Sequence, residues 1–192
     1  MDLLLSTRNA HKVREVGEIL GDMFRVLDLS AAPSVPEVEE TGSTFEENAT
    51  LKAVTASLHY QGWVIADDSG LEVDVLGGEP GVYSAIYAGT HGDNAANNAK
   101  LLANLAGHPS PAARFRCMIV LARAGRKLAV FDGSVEGTIT HSPSGSGGFG
   151  YDPLFIPAGF SQTFAELPPQ TKNQLSHRAR ALEKLRAWRG FF

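Results

Sequence analysis

Two aspartates stand side by side where an apolar run gives out: in WVIADDSG, Asp67 and Asp68 follow Trp63, Val64, Ile65 and Ala66. Mg²⁺ takes one or two carboxylate oxygens and fills the rest of its octahedron with water and substrate phosphate, so an acid pair at a rigid strand end suits it. One carboxylate of such a pair can also orient or deprotonate an attacking water whose pKa the metal has lowered. Glu39 and Glu40, in the acidic loop AAPSVPEVEETG, add further carboxylates ahead of a helix. An isolated DDSG serves equally well as a turn, and that reading stays open here.

A second chemical signal lies at residues 7–12, where a short strand runs into a helix. Backbone N–H groups and the positive end of the helix dipole meet at such a point and attract phosphate. Ser6, Thr7 and Asn9 supply side-chain donors there, and Lys12 supplies charge. The plainer alternative is that Thr7 or Asn9 only caps the helix while Lys12 is solvated. Near the other end, Lys172 precedes Ser176, His177 and Arg178. The planar fork of an arginine only donates, so it suits a purine keto oxygen and offers nothing to an amino group. Ser176 as an N-cap followed by two exposed residues is the alternative.

The stretch GSGGFG at 145–150 spells GxGxxG, yet it does not predict a dinucleotide-binding fold. That fingerprint needs a helix directly after it, whereas YDPLFIPAG follows, with two prolines and β-prone residues. A glycine loop presenting Phe149 and Tyr151 fits better as a platform for a flat base, with Asp152 as an acceptor. A hairpin loop whose aromatics belong to the core is the competing account. His59, His91, His108 and His141 have no partner at ligand spacing.

These groups need a frame, and the chain is long enough to build one: 192 residues, 43% hydrophobic, bury a substantial core. The net charge of −4 gives no global positive field to draw the chain onto nucleic acid or anionic lipid, so neither is expected as a partner. The single cysteine, Cys117, sits in the apolar run RFRCMIVLARA, which predicts core packing and excludes an internal disulfide. No apolar run approaches the roughly 20 residues needed to span a bilayer, and a cytoplasmic location is expected. Apolar spacing predicts a strand at 3–5, a helix carrying Val13, Val16, Ile19 and Leu20, and a strand at 24–29. Thr44 with Glu47 reads as a capping box opening a second helix that holds Asn48 and Lys52 one turn apart. A strand at 63–66 is expected to end at the aspartates, and Asp93 to begin a helix with Leu101, Leu102 and Leu105 on its buried side, ended by Gly107. Three strand-like runs, RFRCMIVLARA, KLAVFDG and VEGTIT, lie too close together for crossover helices and predict antiparallel pairing, hence a mixed sheet. A final helix is expected to carry Leu175, Leu182, Leu185 and Trp188 as one stripe.

In order and wording these stretches resemble one family, the inosine/xanthosine triphosphate pyrophosphatases, also called non-canonical purine NTP pyrophosphatases. The resemblance is carried by STRNAHK, EETGSTFEENATLKA, ADDSGLEVDVLGGEPGVYSA, GSGGFGYDPLF and KNQLSHRARAL, and it covers essentially the whole chain. It implies an α/β fold: a long central mixed β-sheet flanked by helices, one domain over 1–192 in two lobes with the active site in the cleft between them, usually a homodimer. The implied activity is Mg²⁺-dependent hydrolysis of ITP, dITP and XTP to monophosphate and pyrophosphate, removing deaminated purines from the nucleotide pool. By the same resemblance Thr7, Arg8, Asn9, Ala10, His11 and Lys12 hold the triphosphate, and Lys52 reaches the phosphates from the next helix. Asp68 would be the proton acceptor and a metal-site carboxylate, Glu39 would help hold the ion, and Ser69 would contact substrate. Phe149, Gly150, Tyr151 and Asp152 would embrace the base, with Lys172, His177 and Arg178 on its base and sugar side. Many members have glycine where this chain has Arg8, which adds bulk and charge to the phosphate turn. Two alternatives remain: a pyrophosphatase for other modified or pyrimidine triphosphates, and a sensor that grips a nucleotide without hydrolysing it. The accumulated carboxylates argue against a pure binder, which gains nothing from negative charge beside a triphosphate.

Overall fold

Leu3, Leu4 and Leu5 are almost wholly buried and form the inner part of strand β1 (Asp2–Leu5). The computed structural model describes residues 1–191, so the last residue of the expected 1–192 domain lies outside it. After β1 come helix α1 (Ala10–Leu20), strand β2 (Arg25–Leu27), helix α2 (Phe45–His59), strand β3 (Trp63–Val73) and helix α3 (Asn94–Asn104). Strands β4 (Ala112–Arg123), β5 (Arg126–Ile139) and β6 (Phe155–Pro157) follow, then helices α4 (Pro169–Leu175) and α5 (His177–Ala187). The described residues build a six-stranded sheet in the order β2-β1-β3-β4-β5-β6. Strand β1 pairs in parallel with β2 and with β3, while β5 and β6 pair antiparallel, so the sheet is mixed as expected. Each parallel pair needs a crossover, and α1 and α2 provide it.

Three elements differ from their sequence expectation, each for a physical reason. Strand β3 does not stop at the aspartates but continues to Val73. Both carboxylates find cationic or amide partners, so neither has to turn the chain toward water. The second and third strand-like runs are one strand, β5, joined to β4 by the two residues Ala124 and Gly125, whose φ angles are 51° and 74°. Positive φ at both central residues is the geometry of a tight hairpin turn, which leaves antiparallel pairing as the way β4 and β5 can neighbour each other. The final helix is broken at Ser176, whose ψ of 160° is extended. Leu175 and the pair Leu182 and Leu185 serve different cores.

The chain divides into two compact units, the first built from Met1–Asp68, Cys117–Gly133 and residues 178 onward, the second from Ser69–Arg116 and Ser134–His177. In the first unit the alternation of the strands sorts side chains to two faces. Leu3, Leu5, Ile65, Cys117, Ile119 and Leu121 pack with Val16 and Leu20 of α1 and with Leu182 and Leu185 of α5. Their neighbours along the strands point the other way: Ala66, Val120 and Ala122 meet Ala49 and Ala53 of α2, and Leu4 and Val64 meet Ala56. The alanines let α2 lie close to the strands. In the second unit Leu71, Val73, Phe115, Val135, Ile139 and Phe155 form a core with Phe164, Leu101 and Leu105, joined by Leu175. Leu182 is fully buried, and Leu182→Ala is expected to lower the urea-unfolding free energy by about 2–5 kcal/mol through lost burial and a residual cavity.

Candidate active site

Alternation along β3 sends consecutive aspartates to opposite faces. Asp67 follows Ile65 toward α1 and α5, and Asp68 follows Ala66 toward α2. Asp67 is 2% exposed, and its Oδ2 lies 3.1 Å from Lys12 Nζ and 3.0 Å from Arg178 Nη2. Arg178 Nε donates to the same oxygen at 3.3 Å, and Arg178 Nη1 donates to Glu15 at 2.6 Å. Burial by itself would raise the Asp67 pKa, but the charges of Lys12, Arg178 and Lys52 outweigh it and hold the carboxyl well below its ordinary range. Arg178 responds in reverse: burial disfavours its charge, and Asp67 and Glu15 push its pKa above the ordinary value.

Asp68 sits differently. Asn48 Nδ2 donates to its Oδ2 at 3.1 Å, and Lys52 Nζ lies 3.5 Å from its Oδ1. Burial raises its pKa, and the negative charge of Glu40 adds to the rise against Lys52, Lys12 and Asn48, leaving it at about 6. Lys52 also binds Glu40 at 3.0 Å, and those two acids outweigh burial to raise its pKa. Asn48 is itself locked, since Gly42 N donates to its Oδ1 at 2.7 Å. Thr44 caps α2 by accepting from Glu47 N, while Glu47 reaches back to Ser43 N and Oγ, one residue earlier than the simple box. The turn before α1 is organised in a comparable way: Asn9 caps α1 by accepting from His11 N and Lys12 N, and Thr7 Oγ1 accepts from Asn9 N. The capping alternative thus describes Asn9, whereas Lys12 is not a solvated residue but 16% exposed against Asp67. Arg8, Asn9, Ala10 and His11 are exposed around it and Thr7 is half-buried.

The donor set fits a divalent cation. A carboxylate whose pKa is raised by burial and by a neighbouring acid is relieved of both penalties when a cation joins it. Among the described residues no three His, Cys, Asp or Glu side chains cluster tightly enough to form an all-protein cage. The acid beside Lys52 and Asp68 is Glu40; both it and Glu39 are exposed.

In the second unit Asp152 is buried and accepts from Phe149 N and from Lys172 Nζ, both at 2.7 Å. Lys172 Nζ stands 5.1 Å from the Phe149 ring centroid and 5.8 Å from that of Phe164. Phe149, Asp152 and Lys172 are therefore brought together. Gly148 has φ of 69°, and a Cβ there would come within 2.1 Å of Asp152 Oδ2, so glycine is what lets this carboxylate reach the loop. Gly150 O accepts from Asn98, and Ser69, half-buried, continues β3 directly after Asp68. Tyr151 and Arg178 are both buried. Tyr151 belongs to the core and donates its hydroxyl to Ser84 O, because the ring completes the apolar cluster, so Tyr151 is no exposed platform. Arg178 directs its fork at Glu15 and Asp67 instead of standing as an exposed residue at a helix start. His177 is buried with its ring stacked on Phe115, centroids 4.8 Å apart and planes 13° from parallel. Glu15 escaped the sequence reading, although a signal was present: it lies three residues after Lys12, inside the apolar arc of α1 formed by Val16, Ile19 and Leu20.

Because Asp68 titrates near 6 in the folded chain against an ordinary 3.8, the folded state holds a proton that the unfolded chain has released. That stabilisation is present below about pH 4 and is lost as pH rises through about 6. Asp68→Asn removes the buried charge, so without added metal it is expected to be more stable than wild type at pH 8 by about 2–3 kcal/mol, the gap closing toward pH 4.5 in urea unfolding.

Comparison with known proteins finds relatives along nearly the whole chain. Residues 3–188 match the Ham1 family. The chain is similar to the dITP/XTP pyrophosphatase of Shouchella clausii, 49% identical over 187 residues, covering 96% of this chain and 94% of that one. It is 50% identical over 187 residues to the enzyme of the same name from Geobacillus kaustophilus, covering 96% and 92%. Among solved structures, the Staphylococcus aureus Ham1 protein superposes with a TM-score of 0.86 at 41% identity over 97% of both chains. A Mycobacterium abscessus nucleoside-triphosphatase, a dITP/XTP pyrophosphatase, does so with a TM-score of 0.77 at 42% identity, covering 96% of this chain and 98% of that one. With a family match across nearly its whole length and relatives at this identity, the chain belongs to the Ham1 family.

Proposed function

We propose that the chain hydrolyses deaminated purine nucleoside triphosphates, dITP, ITP and XTP, to the monophosphate and pyrophosphate. The observation that carries this reading is Asp68: a buried carboxylate at about 6, held by Asn48 and Lys52 beside the Lys12–Asp67 ion pair. A buried carboxylate held beside two cations suits the orientation of a water for attack on a phosphoryl group. The names of the relatives support the substrate class.

In the proposed step Asp68 takes a proton from a water, whose oxygen bonds to the α-phosphorus while the bond from that phosphorus to the α,β-bridging oxygen breaks. Lys12 and Lys52 offset the charge left on pyrophosphate, and the turn from Thr7 to Lys12 orients it. Mg²⁺, held by Asp68 with Glu40 or Glu39, would neutralise phosphoryl oxygens and acidify the attacking water. Base recognition falls to the second unit, where Phe149 offers a ring face held by the Asp152–Lys172 pair and Ser69 and His177 complete the contacts. Arg178, within donor reach of its carboxylates, is proposed to contribute to the keto-oxygen preference. We further propose a homodimer working in the cytoplasm and removing deaminated purines from the nucleotide pool. No described helix is long and apolar enough to cross a membrane.

Steady-state pyrophosphate release from ITP, dITP, XTP, GTP and ATP, with and without Mg²⁺ and with the nucleotide product identified by chromatography, tests the reading. Monophosphate from the keto purines with metal required is the expected result. Diphosphate with orthophosphate, or ATP turned over equally well, overturns the point of attack or the base preference. A preference for dUTP or a methylated nucleotide selects the alternative substrate class, and binding without turnover selects a sensor. Asp68→Asn is expected to lower kcat by about 10²–10⁴-fold.

A further inference from the structure

Glu15 has no part in the chemistry above, yet it is buried in the first unit, its side chain 9% exposed. A carboxylate in an interior is costly unless paired, and its partner is Arg178, 2.6 Å away and 1% exposed. Arg178 turns its other branch to Asp67 Oδ2, the oxygen that Lys12 also faces at 3.1 Å. Lys12 and Glu15 stand three residues apart on α1 and so share one face of the helix. The four groups thus form a closed circuit that leaves α1 at Lys12, passes through Asp67 of β3 and Arg178 of α5, and returns to α1 at Glu15. Its two cations and two carboxylates balance. Without the Glu15 charge, Arg178 leans more heavily on Asp67, competes there with Lys12, and frees the lysine from its aim.

We infer that Glu15 is a positioning residue: by fixing the Arg178 guanidinium it holds Asp67 where the Lys12 ammonium is aimed at departing pyrophosphate. This rests on the proposed role of Lys12 as a phosphate contact.

The test is a double-mutant cycle of Glu15→Gln with Lys12→Ala, read by calorimetric titration of inorganic pyrophosphate and by kcat and KM for dITP and dGTP, with thermal unfolding measured alongside. Glu15→Gln is expected to weaken pyrophosphate binding and lower kcat/KM for dITP about tenfold, to leave the dITP-to-dGTP ratio within about twofold, and to change little once Lys12 is alanine. Glu15→Asp, which keeps the charge on a shorter arm, should fall between wild type and Glu15→Gln. A folded Glu15→Gln with wild-type pyrophosphate affinity, or losses that add independently of Lys12, overturns the inference. Collapse of the dITP-to-dGTP ratio with pyrophosphate binding intact also overturns it and assigns Glu15 to exclusion of the guanine 2-amino group. If Glu15→Gln does not fold, Glu15→Asp decides: weakened pyrophosphate binding supports the role, and wild-type binding removes it. A wild-type protein that neither binds nor releases pyrophosphate overturns the functional reading and this inference together.

Discussion

The first unit is organised around one buried charge. Asp67 lies within a strand and is 2% exposed, where an unpaired carboxylate would cost several kcal/mol. It stays ionised because two helices bring cations to a single oxygen, Lys12 from α1 and Arg178 from α5. Replacing such a group by a well-packed apolar residue is often neutral or favourable for stability, so stability alone is a weak reason to keep it. Its value in the proposed mechanism is geometric: an ion pair that cannot leave its place gives the turn before α1 a cation already in position, which lowers the reorganisation required when charge develops.

Neighbouring residues on β3 show how strand alternation divides tasks. Asp67 faces two cations and is held deprotonated, whereas Asp68, one residue later and on the opposite face, meets a lysine, an amide and a second acid and is pushed up to about 6. Two carboxylates with pKa values driven apart by their surroundings are a common mark of divided roles, one structural and one chemical. The alanine face of α2 makes this possible by lying close to the strands and presenting Asn48 and Lys52 to the same aspartate.

The second unit treats its polar groups in a similar way, with different materials. The Asp152–Lys172 pair is enclosed by Phe149 and Phe164 and grips the backbone of the glycine loop at Phe149. Ser144 ties the start of that loop to Glu166 at 2.7 Å, and Gly147 N donates to Ala165 O. The GxGxxG stretch is therefore a docked loop followed by a short strand, which is why the string carries no dinucleotide chemistry here.

Much of this was legible from residue order alone, because it depends on local physics. Apolar spacing, the Thr44 and Asp93 caps, the short links between β-prone runs and the proline after the glycine loop each act over a few residues, and they predicted the helices, the mixed sheet and the rejection of a dinucleotide fold. The wording of five motifs carried the family. Pairings between residues far apart in the chain could not be read this way. That β3 would run through two aspartates depended on Lys12, Asn48, Lys52 and Arg178 being brought to it, and that Leu175 and Leu182 would serve different cores depended on where the chain folded into two units. Glu15, Asp67 and Arg178 are 52 and 111 residues apart in succession, and no periodicity links them. Sequence determined which residues are charged and which helix face they share; only the tertiary structure decided which charges meet, because burial makes each buried ion seek a partner that folding, not spacing, delivers.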